Sequence, residues 1–168
     1  MPKRPQRPVR DLVAASDDLL YEIERFFDCW YLLSEQWSEL KSLGTAFEEA
    51  VGVSFLVHGR SLADVFFPNG PRRDDVIAAD FFRGPSNWTF AGSVSEQVRS
   101  IHRWVGRDVA HVSYGRLGRG DDRRDAPWIF DLIRRATLAF VDAVPANVVS
   151  EHFSTGVRAA ARLPPPKG

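Results

Sequence analysis

Apolar positions recur along this chain at helical intervals. Leu19, Ile23, Phe26, Trp30, Leu33, Trp37 and Leu40 alternate spacings of four and three, one seam sustained over about six turns. Ser16 is placed to cap that helix, Asp17 and Asp18 suit the positive end of its dipole, and Gly44 ends it. Thr45-Ala46-Phe47-Glu48 reads as a capping box opening a second helix, with Phe47, Val51, Ser54, His58, Leu62 and Val65 on one face. Pro68-Asn69-Gly70-Pro71 stops it, and Asp74 or Asp75 starts a short helical piece. Ser93-Val94-Ser95-Glu96 opens a third long helix carrying Val94, Val98, Ile101, Val105, Val109 and Val112. Asp125 and Pro127 begin a fourth, with Ile129, Ile133, Ala136, Phe140 and Ala143 along its seam and Pro145 after it. A last short helix is expected over about 154–162, favoured by Ala159, Ala160 and Ala161.

No segment alternates with period two for long, so the expected class is all-α: an antiparallel helical bundle of four main helices plus one or two short helices. Residues 1–10, with three prolines and four cationic side chains, read as a disordered basic arm, 11–163 as a single helical-bundle domain, and 164–168 as a disordered tail. Phe26, Phe27, Trp30, Tyr31 and Trp37 crowd both sides of the first helix. That is more aromatic surface than one seam buries, and the surplus predicts a homodimer.

Composition narrows the picture. With 168 residues, 44% apolar and 26% charged, the chain suits one globular domain. Lys+Arg and Asp+Glu both count 22, so no overall field draws a polyanion, although Arg outnumbers Lys 19 to 3. A single cysteine, Cys29, excludes an internal disulfide and a multi-cysteine zinc site. No apolar run is long enough to cross a membrane and no signal peptide is visible, so a cytoplasmic protein without a membrane partner is expected.

Familiar catalytic signatures are absent: no phosphate loop, no dinucleotide fingerprint, no nucleophile elbow and no HExxH. The four histidines have no i,i+4 pairing with each other and the Glu–His spacing of di-iron bundles is missing, so neither a metal nor another cofactor is expected. His58 falls near the centre of the second helix's expected apolar face. It suits either a core histidine bonded to a carbonyl or a nearby side chain, or a pocket residue of a helical ligand binder. Arg60 and Asp64 are spaced to pair. The most suggestive stretch is IHRWVGRDVAHVSYGRLG, in which Arg103, Arg107 and His111 line one strip of helix. An arginine pair beside a histidine supplies a phosphate anchor and a proton carrier, the two functions ribonuclease chemistry requires. The alternative is a solvated cationic face with a flanking histidine.

The RDVAH string within a helical bundle resembles the HEPN superfamily. Those small bundles are often dimers and include ribonucleases and RNA-binding partners of toxin–antitoxin and antiphage systems. Their motif is an arginine, then a polar residue, then a histidine after four to six intervening residues. Arg107, Asp108 and His111 match in kind, with three residues between Arg107 and His111. The resemblance implies a catalytic set of Arg107, Asp108 and His111. Arg103, Trp104 and His58 are the candidate binding residues, with Trp104 available to stack on an unpaired base. The expected function is an HEPN-like RNA-binding protein or ribonuclease; the alternative is a non-catalytic dimeric interaction or regulatory protein with a protein partner.

Overall fold

A computed structural model of the protein describes residues 6–82, Trp88, Phe90 and 126–161. Among these residues the chain is all-α, 76% helical and without strands, with five helices packed on one another. They are α1 (Val9–Ser34), α2 (Trp37–Ser42), α3 (Thr45–Phe66), α4 (Ala126–Ala143) and α5 (Phe153–Ala161). Short 3-10 turns lie at Ala78–Phe81 and Ala146–Val148. The third long helix expected from the sequence, and Asp125 as a cap, lie outside the described residues. α1 is central: it packs against α3 and α5, and α4 closes the other side against the same two helices.

The seam of α1 is longer at its start than Ser16 suggested. The helix begins at Val9 behind Pro8, whose carbonyl accepts from Asp11 and Leu12 N–H. Leu12, wholly buried, extends the seam back by almost two turns. Ser16 therefore lies inside the helix rather than capping it, and is itself buried. Its hydroxyl donates to the Val13 carbonyl at 2.6 Å and accepts from the Ser150 N–H at 2.8 Å, tying α1 to the segment before α5. Ahead of the helix, Arg7 donates to the carbonyls of Arg73 and Asp75 and lies 3.6 Å from the Asp80 carboxylate, so this part of the basic arm clasps the loop after α3.

At its other end the predicted single helix divides. The Ser34 hydroxyl donates to the Trp30 carbonyl at 2.8 Å, a local bond that competes with helix continuation, and the chain turns at Gln36 before α2 restarts at Trp37. Gly44, at φ +101°, carries the chain from α2 into α3. Because Gly44 is itself the N-cap, Thr45 is already helical and the expected capping box does not form.

Phe26, Phe27 and Trp30 of α1 are buried within the chain, while Tyr21 is 55% exposed. Phe26 stacks on Phe55 of α3 at 4.7 Å, Trp30 stacks on Phe130 of α4 at 4.6 Å, and Phe27 meets Phe130 edge-on. Phe26 and Phe27 are wholly buried and Trp30 is only 5% exposed. Tyr31 and Trp37, the rest of the aromatic surplus that motivated the homodimer, are half-buried. A second cluster gathers round Phe140, with Phe66, Phe81 and Phe153 in ring contact. α4 buries Ile129, Ile133, Ala136 and Phe140 as its spacing predicts, while Ala143 is exposed. α5 presents Phe153, Val157 and Ala161 to the core, and Arg134 caps its last turn by donating to the Ala161 carbonyl at 3.2 Å.

The face of α3 differs from the predicted one. Phe55, Gly59, Leu62, Ala63 and Phe66 are buried, whereas Phe47 is 58% exposed and His58 lies on the flank. The helix is turned by about one residue, roughly 100°, relative to the expected seam. Gly59 shows why. A Cβ there would stand 3.0 Å from the Phe26 ring, so the absent side chain lets the aromatic layer of α1 lie against the backbone of α3.

Candidate functional site

Five of the six residues singled out by sequence, Arg103, Trp104, Arg107, Asp108 and His111, lie outside the described residues. The sixth, His58, is placed by α3 against α1. Its Nδ1 is 2.9 Å from Glu22 Oε2, and the Tyr21 ring meets it edge-on with centroids 6.1 Å apart. Both partners of the His58–Glu22 bond are partly buried. With the carboxylate ionised, Nδ1–H donates and the imidazole is fixed in orientation, leaving Nε2 as the other proton-exchanging atom. Proton-transfer chemistry also needs polar groups converging on a position for the reacting atom. The described contacts of the His58 ring are a carboxylate and an aromatic edge, so the geometry is that of an oriented histidine joining two helices.

A polar cleft of about 370 Å³ lies beside the Pro68–Pro71 turn, lined by Arg60, Asp64, Asn69, Arg72 and Asp75 among others. Arg60 and Asp64 pair at 3.6 Å as their spacing predicts, and the Arg72 N–H donates to Asp75 Oδ2 at 2.6 Å. Arg60 and Asp64 are thus engaged with each other, and the Asp75 carboxylate with the backbone. His58 does not line it. No group of three or more His, Cys, Asp or Glu side chains among the described residues converges as a metal site would require, and none of the described helices is long and apolar enough to cross a membrane. Cys29 is a buried free thiol. Burial pushes its pKa up, opposed by a hydrogen bond with Ser54.

The feature that sequence reasoning missed is on the outward side of α3. Val53 is 43% and Val57 45% exposed, with exposed Ala46 and Ala50 completing the strip. Phe47 flanks it, and Leu43 stands exposed at the α2–α3 corner. A signal was present: residues 50–59, AVGVSFLVHG, contain no Asp, Glu, Lys or Arg. That stretch is apolar around most of the helix, a pattern found where a helix is covered on more than one side. Here Phe55 and Gly59 face the core, while Val53 and Val57 face outward.

Compared with known protein families, curated proteins and solved structures, the chain matches none.

Proposed function

We propose that this chain is a non-catalytic helical interaction protein that binds a partner through the outward face of α3. The observation that carries this reading is the exposure of Val53 and Val57 within a ten-residue helical stretch free of formal charge. Water-facing helix surfaces ordinarily carry charged side chains, and a contiguous apolar strip is a mark of an interaction site. The oriented His58–Glu22 pair supports the same reading, because it holds α1 and α3 together beside that face. The single cysteine, a buried thiol, supports a reducing compartment and hence the cytoplasm. A photo-crosslinking amino acid placed at Val53 in cells tests the proposal. A discrete adduct is expected, and recovery of the uncrosslinked chain alone would overturn it.

The second reading, an HEPN-like RNA-binding protein or ribonuclease, is favoured by the Arg103, Arg107 and His111 strip and by the Arg107-Asp108…His111 motif. It predicts single-stranded RNA binding that weakens steeply with salt as phosphate counterions are released. Arg107→Ala weakens that binding, while His111→Ala spares binding and removes cleavage. A chain that neither shifts nor degrades RNA at low salt would end this reading.

A further inference from the structure

The outward strip of α3 is self-complementary. Ala46, Ala50, Val53, Val57, Arg60 and Asp64 follow at intervals of four, three, four, three and four. That order reads the same from either end, so a two-fold axis at the level of Phe55 maps the strip onto itself in an antiparallel helix pair. Val53 then faces Val57 of the second copy, twice over, at the centre. Ala50 faces the aliphatic stem of the second copy's Arg60, and Ala46 faces the second copy's Asp64. The small side chains at 46 and 50 leave room for the longer ones opposite, as packed helices require.

Charge follows the same symmetry. Glu49 and Arg60 lie on the same flank of the strip, and in an antiparallel pair same-flank positions stand beside each other. Glu49 of each copy therefore comes level, within one residue, with Arg60 of the other. Asp64 arrives near the N-terminal turn of the opposing α3, where the helix dipole favours a negative charge. A parallel pair would instead leave Glu49 and the second copy's Arg60 about 16 Å apart along the axis.

We infer that the partner seated on α3 is a second copy of this chain, docked antiparallel along Val53 and Val57 with Glu49 beside the second copy's Arg60. This inference rests on the interaction-protein reading and names its partner. The interface lies on α3, whereas the sequence had pointed to the aromatics of α1. A single helix pair buries less than the roughly 1,200–2,000 Å² of a standard stable interface, so the dimer is a weak, reversible one in the micromolar range.

Sedimentation velocity on the full chain across the micromolar range tests it. The wild type is expected to move from the 18.9 kDa monomer to twice that mass with rising concentration. Val57→Glu sets a charge on each side of the apolar centre and is expected to weaken association by at least about 30-fold. Its α3 position is solvent-exposed in the monomer, and an unchanged far-ultraviolet helical signal checks the fold. Independently, Glu49→Arg and Arg60→Glu each weaken association by about tenfold through like-charge contacts, and the doubly exchanged chain recovers most of it. A monomer throughout, a dimer indifferent to Val57→Glu, or a double exchange no better than the single ones would overturn the second-copy assignment. The Val53 crosslinking adduct separates the two levels. An adduct of twice the chain mass supports this inference. An adduct with a different protein ends it while leaving the interaction reading intact, and no adduct ends both.

Discussion

α1 and α3 are neighbours of similar length, and both are rich in apolar side chains, yet they meet water differently. On α1 the polar residues are sorted: Asp17, Asp18, Arg25 and Asp28 are exposed, while Leu19, Ile23, Phe26 and Trp30 are buried. On α3 the charges are confined to the ends, at Glu48 and Glu49 and then at Arg60 and Asp64, with none between. One helix therefore has a single possible inner face. The other has no Asp, Glu, Lys or Arg around its middle, buries the side that fits Phe26, and leaves Val53 and Val57 in water. Where charge is sorted, the surface of the monomer is the finished surface. Where charge is missing, the monomer retains a face suited to a further contact.

The largest test of this contrast is at the shared layer. Phe26→Ala removes the ring stacked on Phe55 and packed against Gly59, and is expected to cost about 3–5 kcal/mol of unfolding free energy by urea titration. Val57→Ala, measured on the monomer at low concentration, is expected to stay within about 0.5 kcal/mol. Equal losses at the two positions would erase the distinction between the inner and outer sides of α3.

The two glycines in the middle of α3 give a sharper test with opposite signs. Gly59→Ala forces a methyl to 3.0 Å from the Phe26 ring, and about 1–3 kcal/mol of destabilisation is expected. At Gly52 a Cβ meets nothing within 4 Å, so Gly52→Ala is expected to stabilise by about 0.5–1 kcal/mol through helix propensity. Thermal unfolding of both variants decides it, and a shared sign would show that the α1–α3 approach does not depend on Gly59.

The bond between the two helices is a smaller effect. A double-mutant cycle with Glu22→Gln and His58→Ala is expected to return a coupling of about 0.5–1 kcal/mol, because the pair is only partly buried. A coupling near zero would make the 2.9 Å contact incidental. The smallest effect is on pH dependence. Burial raises the Cys29 thiol pKa in the folded chain, so the unfolded chain ionises first as pH rises. Stability is then unaffected below the range where an ordinary thiol titrates and falls as pH rises through it. Cys29→Ala should flatten that alkaline decline relative to the wild type in paired denaturation series, and an unchanged slope would remove Cys29 as its source.

Reading the sequence succeeded where charge and apolar residues segregate at short range. The seam from Leu19 to Leu33, the seam of α4, the stop at Pro68 and the short C-terminal helix were all legible because local spacing and Pro/Gly chemistry determine them. It failed at Ser16, whose cap-like sequence conceals a buried hydroxyl bonded to Ser150 N–H 134 residues away. It failed also at Gly44, which displaces the expected capping box. The candidate site was legible only in part. The Arg60–Asp64 pair followed from i,i+4 spacing, whereas nothing local connects His58 with Glu22, 36 residues earlier.

By itself, then, the sequence determined the helical class seen among the described residues, the stops at Pro68 and Pro145 and the inner faces of α1 and α4, because period and punctuation act over a few residues. Only the tertiary structure decided which side of α3 is inside. A helix uncharged around its middle has no preferred face of its own, and the choice falls to whatever packs against it. The Phe26 ring takes the side where Gly59 lets it approach, and the outward exposure of Val53 and Val57 follows from that fit.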